Sequence, residues 1–207
     1  MSHRLGTIPG IVIKEASLAN GSSLVSIMKA VAEGEVEVRT KGLVVAICGG
    51  SSLAQDDINC YKAQQLAAGV AARGGVIVNG GENSGLMLAV ASVIRDSVLG
   101  VACPYHQTIP YINKTIVNSY QTRKMIITVM PTVVFFTGQV GTLDELMTTI
   151  GWVKSLLKQN ALPPNIWVDD YWWDVLDLLN NKNAIQDNVW QYIHKFTEVD
   201  EILKSFV

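Results

Sequence analysis

Residues 132–146 read TVVFFTGQVGTLDEL, an apolar run followed by a turn with two glycines and by the start of a helical pattern. The run predicts a strand. The pattern after it predicts a helix from about Thr142 to Lys158, with Thr142 as its N-cap and the two acids of LDEL in its first turn. Such a turn can also bind an anion, because glycine lets backbone N–H groups approach closely and the helix dipole favours negative charge. From this stretch alone, two interpretations remain, an anion-binding site and an ordinary helix start.

The alternation of strand and helix continues in both directions along the chain. Short β-branched runs alternate with helical patterns such as QQLAAGVAARGG and GLMLAVASVIRDS, and a further helix begins near Tyr171. The predicted strands are LVVAIC (43–48), VIVN (76–79), VLGVAC (98–103), TVVFF (132–136) and NIWVD (165–169). This alternation is typical of parallel strands joined by right-handed crossovers. We therefore predict a doubly wound α/β fold, with a mostly parallel sheet and helices on both faces.

The first part of the chain does not follow this pattern. Residues 43–207 are predicted to form the α/β domain, and residues 1–42 an ordered N-terminal extension packed on it. The candidate elements of the extension are a strand IVIKEA (11–16), a helix SSLVSIMKAVAEG (22–34) and a strand EVEVR (35–39).

The composition limits the partners. Hydrophobic residues make up 49% of the chain and charged residues 16%, with a net charge of −2. A surface with so little charge is explained if part of it is buried in a homodimer or a larger even-numbered oligomer. Lys and Arg are scattered, so neither nucleic acid nor a membrane is expected as a partner.

The cysteines and histidines indicate the compartment and the cofactors. Cys48, Cys60 and Cys103 include no CxxC pair, which argues against a disulfide framework and against zinc. The three histidines are widely separated, so no metal site is expected, and each is more often a surface or packing residue than a ligand. No apolar run approaches the ~20 residues needed to span a bilayer, and no export signal is expected at the N-terminus. We expect a soluble cytoplasmic protein that needs no metal or redox cofactor.

The segments that follow the strands are where a ligand should bind, because ligands of an open parallel sheet lie outside the carboxyl ends of its strands. These segments are GGSS (49–52), GGENSG (80–85), PYH (104–106) and TGQVGT (137–142). Three of the four are rich in glycine and two run directly into helices, which favours a ligand that carries phosphate. Neither GxGxxG in its usual place nor GxxxxGK[ST] occurs, so NAD binding and ATP hydrolysis are disfavoured.

These loops resemble those of the cytokinin-activating nucleoside 5′-monophosphate phosphoribohydrolases, the Lonely Guy family, long mislabelled as lysine decarboxylases. The family signature PGGxGTxxE is matched by TGQVGTLDE (137–145), and the Arg-Lys pair upstream of it by Arg123 and Lys124. ICGGSS, VNGGENSGLM and LGVACP match the other loops of the family in order and spacing. The resemblance covers about residues 43–205 and implies a Rossmann-like fold.

The resemblance also implies a function and a site. The ligand would be a nucleoside 5′-monophosphate, cleaved at its N-glycosidic bond, with Arg123 and Glu145 as the catalytic pair. The implied phosphate- and nucleotide-binding residues are Gly49, Ser51, Gly80, Gly81, Glu82, Met87, Lys124, Gly138, Gln139, Val140, Gly141 and Thr142. The residue types agree with this chemistry, since cleavage builds positive charge on the ribose and a carboxylate stabilises it. Arg123 stays protonated, so it can hold phosphate, anchor Glu145 or stabilise the departing base, but it cannot act as a base.

Three positions depart from the family pattern. Thr137 replaces the proline, Gln139 replaces the second glycine, and Glu82 replaces the third glycine of the GGG loop. The side chains of Gln139 and Glu82 are expected to restrict the approach of phosphate. Molybdenum-cofactor carriers of the same fold bind without hydrolysing, so a non-catalytic nucleotide- or pterin-binding protein is the alternative function. Transfer of the ribosyl group to an acceptor other than water is a third.

The candidate side chains also have structural interpretations. Glu145, in the predicted first turn, could simply compensate the helix dipole, and Arg123 could be a solvated helix residue. Glu82 is either a cap of its own loop or a ligand contact, and Met87 is a candidate core residue. The tryptophans predicted to serve packing rather than base stacking are Trp152, Trp167, Trp172 and Trp173.

Overall fold

The structure is a computed structural model that describes residues 4–8, 11–15, 36–40, 42–117 and 119–206. The strands are β1 (Arg4–Ile8), β2 (Ile11–Glu15), β3 (Val36–Thr40), β4 (Val44–Cys48), β5 (Val76–Asn79), β6 (Val98–Ala102), β7 (Asn113–Ile116), β8 (Thr132–Phe135), β9 (Asn165–Asp169) and β10 (Ile193–Phe196). The α-helices are α1 (Ile58–Ala72), α2 (Gly85–Ile94), α3 (Tyr120–Thr128), α4 (Val140–Lys158), α5 (Asp170–Asn181), α6 (Asp187–Trp190) and α7 (Val199–Lys204).

Seven strands form one sheet in the order β10-β9-β8-β4-β5-β6-β7. Every neighbouring pair in this sheet is parallel, which confirms the doubly wound α/β fold. From β4 the chain adds β5, β6 and β7 on one side, and then returns to place β8 on the other side of β4. The strand order therefore reverses between β4 and β8, and a crevice for ligand is expected where the loops after these two strands diverge.

Both faces of the sheet are buried, which explains why its central strands read as continuous apolar runs. Along β4, alternate residues Val44, Ala46 and Cys48 join one core with α3, α4 and α5. Val45 and Ile47 join the other core with α1, α2 and α7. The two edge strands, β7 with the sequence NKTI and β10 with the sequence IHKF, were not predicted. Each carries polar residues and has a neighbouring strand on one side only, so a continuous apolar run is absent.

The N-terminal strands form a separate antiparallel sheet in the order β1-β2-β3. The strands predicted in IVIKEA and EVEVR correspond to β2 and β3. The helix predicted over residues 22–34 lies outside the described residues. Packing of the extension on the α/β domain stays a prediction.

Helix α4 begins two residues earlier than predicted. Gln139 is its N-cap, with an extended backbone and no capping side-chain bond, and the Leu143 N–H donates to the Gln139 carbonyl at 3.1 Å. Thr142 is thus the third helical residue, so its prediction as N-cap was wrong. Glu145 is the sixth residue, and no acid lies in the first turn. The helix dipole therefore does not account for Glu145.

The three glycine-rich loops at the carboxyl edge are joined through their backbones. The Gly50 N–H donates to the Thr137 carbonyl at 3.0 Å, and the Leu86 N–H donates to the Gly50 carbonyl at 3.1 Å. Gly85 has a φ of +49°, and a Cβ placed there would collide with the Gly50 carbonyl oxygen and with Ser51. Glycine is required at this position because the loops after β4 and β5 touch backbone to backbone.

Replacement of Gly85 by alanine should therefore destabilise the protein by at least about 2 kcal/mol, through the positive φ and the collision together. Gly151 lies inside α4, where a Cβ would meet no atom within 4 Å, and is the control. Gly151→Ala should stabilise by about 0.5–1 kcal/mol, because alanine favours the helix. Chemical denaturation measures both changes, and equal effects in the two variants would contradict the account of the loops.

Candidate functional site

A cavity of about 120 Å³ opens at the carboxyl edge of the sheet, at the reversal of strand order. Its lining residues are Gly49, Gly50, Ser51, Glu82, Met87, Tyr120, Arg123, Gln139, Gly141, Thr142 and Glu145. A smaller recess of about 30 Å³ shares Gly49, Met87, Arg123 and Glu145 with this cavity and adds Cys48 and Gly80, among others. The structure therefore brings together residues from the three glycine-rich loops and from helices α3 and α4.

Arg123 is the central charged group of the cavity and is only 4% exposed. It projects from α3, a helix capped by the Ser119 hydroxyl, which accepts from the Thr122 N–H at 3.0 Å. The Arg123 Nε donates to the Val101 carbonyl at the end of β6, at 3.0 Å. A Cβ at Gly80 would collide with the guanidinium, so the glycine after β5 leaves room for it. The interpretation of Arg123 as a solvated helix residue is wrong.

Two carboxylates flank this guanidinium. Arg123 Nη1 lies 3.7 Å from Glu145 Oε1, and Arg123 Nη2 donates to Glu82 Oε1 at 3.3 Å. The two glutamates come from different elements, Glu145 from α4 and Glu82 from the loop between β5 and α2. A single buried cation thus joins three separate parts of the cavity wall. Charged groups with little exposure are stable only when paired in this way.

Glu145 has the environment of a functional carboxylate. It is 8% exposed, and burial raises the pKa of its carboxyl, while the Arg123 charge and a hydrogen bond from the Cys48 side chain oppose the rise. Cys48 in turn has a pKa raised well above its ordinary value, by burial first and by Glu145 second. Cys48 therefore stays a neutral thiol at neutral pH and lines the recess together with Glu145.

Glu82 contacts a histidine as well as Arg123. His106 Nδ1 lies 3.5 Å from Glu82 Oε1 without forming a hydrogen bond. Burial lowers the pKa of His106, and Arg123 lowers it further, while Glu82 opposes both. The sequence predicted a surface or packing role for His106. Its contact with Glu82 could not be predicted, because that contact depends on the fold of the loop after β6.

The start of α4 forms the part of the cavity wall next to Glu145, one helical turn before it. Gln139, whose side chain makes no capping bond, lines the cavity together with Gly141 and Thr142. A Cβ at Gly138 would collide with the Thr142 hydroxyl, so Gly138 packs behind the turn. A Cβ at Gly141 would meet only the Tyr120 hydroxyl, at 3.8 Å, and so the space above Gly141 belongs to the cavity. The backbone N–H groups of this first turn provide positive potential.

Four predicted binding residues lie outside the cavity lining, namely Gly81, Lys124, Gly138 and Val140. The side chain of Lys124 is 9% exposed and its Nζ contacts both Asp144 oxygens, at 2.8 and 3.0 Å. Asp144 is half exposed, so it is a partner of Lys124 as well as a solvated residue. Val140 is 80% exposed. Gly81 has a positive φ and packs against the backbone of Gly100.

Sequence reasoning missed five cavity or recess residues, namely Gly50, Tyr120, Ile47, Cys48 and Ile127. Tyr120 precedes Arg123 by three positions on α3, so helical spacing could have placed both on one face. The Arg123 guanidinium carbon lies 5.5 Å from the centre of the Tyr120 ring. Cys48 ends β4 on the face toward α4, which the strand alternation could have shown.

The predicted core and packing residues are placed as follows. Met87 is buried, and its sulfur lies 4.0 Å from Arg123 Nη2, so it is both a core residue and a cavity residue. The Trp172 indole donates to the Phe136 carbonyl at 2.9 Å within the core. Trp173 packs on Trp190, and Trp167 on His194.

Neither a metal centre nor a membrane span is found in the part of the chain that the structure describes. Within those ranges, no three His, Cys, Asp or Glu residues cluster so that they could hold a metal ion. No helix among the described residues is long and apolar enough to cross a membrane.

The parallel sheet, the reversal of strand order and the glycine-rich loops define a Rossmann-like α/β protein with a cavity at the carboxyl edge of its strands. The chain belongs to the family described as possible lysine decarboxylase, whose family model matches residues 28–206. The family assignment made from the four loops is thereby confirmed. Comparison with curated proteins found no match.

Several solved structures share the fold. A molybdenum cofactor binding protein from Rippkaea orientalis aligns with a TM-score of 0.59 and 18% identity, over 80% of this chain and 97% of that one. The molybdenum cofactor carrier protein of Chlamydomonas reinhardtii aligns with a TM-score of 0.57 and 12% identity, over 80% and 96%. DNA processing protein A from Helicobacter pylori aligns with a TM-score of 0.54 and 11% identity, over 94% and 85%. At such identities the likeness establishes the fold alone.

The raised pKa of Glu145 predicts a pH-dependent stability difference between the parent and Glu145→Gln. A carboxyl with a raised pKa binds more protons in the folded than in the unfolded state, so the parent loses stability as pH rises above the ordinary value of 4.5. Glutamine does not titrate, so the variant should gain in Tm relative to the parent between acidic and neutral pH.

Glu201 is the control, because backbone hydrogen bonds from Glu198 and Thr197 lower its pKa. Glu201→Gln should show the opposite trend, losing in Tm relative to the parent as pH rises. Thermal unfolding across the pH range measures both variants. Parallel curves for Glu145→Gln and the parent would contradict the environment described for Glu145.

Proposed function

We propose that this protein hydrolyses the N-glycosidic bond of a nucleoside 5′-monophosphate and releases the free base and ribose 5-phosphate. The observation that carries the proposal is Glu145, a buried carboxylate of raised pKa, held beside Arg123 in a cavity that is also lined by the glycine-rich start of the same helix. Perturbed carboxylates in clefts are typical of catalytic groups. Membership of the family supports the same reaction class.

The phosphate is assigned to the start of α4. Gly141 and Thr142 line the cavity, and their N–H groups belong to the first turn of the helix, where no side chain caps them. The loop of Gly49, Gly50 and Ser51 lies against the same cavity. A volume of about 120 Å³ is small beside the roughly 300 Å³ or more of typical ligand pockets, so it would enclose the phosphate and ribose and leave the base toward the opening.

Glu145 is assigned to the bond that breaks. As the C1′–N bond of the ribose breaks, its electron pair leaves with the base and positive charge develops at C1′, which the carboxylate stabilises. Water adds its oxygen to C1′, and its proton passes through Glu145 to the departing base. Arg123 holds Glu145 in place. Its charge also lowers the pKa of the Glu145 carboxyl and so opposes the effect of burial, which favours the protonated form. No metal or redox group enters this balance.

A carrier or sensor function is the second candidate. Two features of the cavity favour it, namely the Gln139 side chain at the phosphate end and a second carboxylate, Glu82, on Arg123. Both replace glycines of the enzyme pattern. The structures described as molybdenum cofactor binding and carrier proteins provide precedents on this fold.

Glu145→Gln separates the two functions. The amide keeps the shape of the side chain but removes the charge that matters as the bond breaks, so kcat should fall by on the order of 10² or more, equivalent to at least ~2.7 kcal/mol in the barrier. Affinity for the nucleotide should change little, as measured by calorimetry. Arg123→Ala should lower turnover as well. A Gln variant that turns over as fast as the parent would remove Glu145 from the mechanism.

Gly141→Val tests the phosphate assignment. The new side chain would enter the cavity above the first turn of α4, because only the Tyr120 hydroxyl lies near a Cβ there. Nucleotide affinity should fall more than about tenfold, since the anion loses its approach to the helix N-terminus. Gly151→Val places the same change on the exposed side of the same helix and should leave the affinity unchanged. Unchanged affinity in Gly141→Val would show that the phosphate binds elsewhere.

A further inference from the structure

Glu82 is built into the wall of the cavity by the backbone around it. The Gly81 N–H donates to the Asn79 side chain at 2.9 Å, and the Gly81 carbonyl accepts from the Ile109 N–H at 3.0 Å. On the other side, the Asn83 N–H donates to the Gln107 carbonyl at 2.8 Å. The residues before and after Glu82 are thus fixed to the segment after β6, so the carboxylate has a defined position.

The contacts of this carboxylate leave one oxygen for a ligand. Arg123 Nη2 and His106 Nδ1 both approach Oε1, at 3.3 and 3.5 Å. Within the described residues, Oε2 accepts no hydrogen bond, and the Glu82 side chain is 25% exposed at the cavity. A carboxylate oxygen accepts hydrogen bonds only, so the matching ligand group must be a donor.

The distribution of charge in the cavity also favours an uncharged hydrogen-bond donor over an anion at Glu82. Two carboxylates, Glu82 and Glu145, share the single guanidinium of Arg123, and Lys124 is held by Asp144 outside the cavity. The wall beside Glu82 therefore has no excess positive charge, unlike the start of α4. A phosphate group placed at this wall would meet a carboxylate and be repelled.

Geometry selects among possible donors. Glu82 and Glu145 lie on the two terminal nitrogens of one guanidinium, Nη2 and Nη1. A group bound to Glu82 must then lie close to the group on which Glu145 acts. If Glu145 acts at C1′ of the ribose, the nearest donors on the ligand are the hydroxyls of that ribose, which lie closer to C1′ than the amine of a purine base.

We propose that Glu82 is a specificity-determining residue that accepts a hydrogen bond from a ribose hydroxyl of the ligand and disfavours nucleotides that carry a second phosphate on the ribose. The assignment rests on the proposed function in so far as the ligand is a nucleoside 5′-monophosphate. Replacement of the family's glycine by this glutamate would then narrow the ligand range while the reaction stays the same.

The test compares the affinities of several ligands for the same protein. A variant that is only partly folded weakens all of these affinities equally, so the ratio between two ligands is unaffected. Calorimetric Kd and, where turnover occurs, kcat/KM are measured for adenosine 5′-monophosphate, its 2′-deoxy and 3′-deoxy analogues, inosine 5′-monophosphate and adenosine 3′,5′-bisphosphate. The proteins are the parent, Glu82→Gln, Glu82→Gly and, as a remote control for charge, Asp200→Asn. Asp200 is exposed on α7.

The parent and Asp200→Asn should prefer the ribonucleotide to one of the deoxy analogues by about tenfold or more, the usual worth of a hydrogen bond to a charged group. Glu82→Gly should reduce this preference to less than about threefold and should bind the bisphosphate at least about tenfold more tightly than the parent does. Glu82→Gln should lie between the two, because the amide oxygen still accepts a hydrogen bond but carries no charge.

The outcomes separate the two proposals. If the parent hydrolyses without discriminating between ribose and deoxyribose, or if its preference survives in Glu82→Gly, the role of Glu82 is overturned and the hydrolase stands. If no base is released but the binding preference is present and disappears in Glu82→Gly, the hydrolase is overturned and the role of Glu82 stands. The remaining outcome is that Glu82→Gly loses only the preference for adenosine over inosine 5′-monophosphate. That result would assign Glu82 to the base amine and overturn the ribose assignment.

Discussion

The buried guanidinium of Arg123 is the interaction on which the site depends. It is held by the Val101 carbonyl in β6, by Glu82 in the loop after β5 and by Glu145 in α4. Its own helix α3 packs on the sheet. These contacts join elements that the chain connects only through long crossovers. Burial of a cation is costly without partners, and the two carboxylates and the carbonyl supply those partners here. Gly80 supplies the space that the guanidinium fills.

The same interaction sets the electrostatic environment of Glu145. Burial raises the pKa of the Glu145 carboxyl, and Arg123 opposes that rise, so the group has the mixed environment that catalytic carboxylates require. The helix start of α4, one turn before Glu145, provides positive potential in the same cavity. In the proposed function, a phosphate at this helix start would place the ribose beside the Glu145 carboxylate, which would stabilise the positive charge that develops as the N-glycosidic bond breaks. Lys124 and Asp144 pair outside the cavity and connect α3 with α4 a second time.

The sequence was sufficient for the central sheet and for the loops that line the cavity. Strands buried on both faces must be apolar throughout, and loops that touch backbone to backbone must contain glycine, so both leave a pattern in the residues. The edge strands β7 and β10 leave no such pattern. The start of α4 was misplaced because Gln139 precedes the helix without capping it, and capping chemistry was the signal sought. The partners of Lys124, Glu82 and Cys48 depend on how separate elements pack, which spacing along the chain does not encode.

The most direct test of the account is whether the parent protein releases base and ribose 5-phosphate from a nucleotide. Purified protein is incubated with a panel of purine and pyrimidine nucleoside 5′-monophosphates, and both products are quantified by chromatography. The account predicts that at least one nucleotide yields the two products in equal amounts, without added metal. Intact nucleotide across the whole panel, with binding confirmed by calorimetry, would contradict the account and identify the protein as a binder that uses the same cavity.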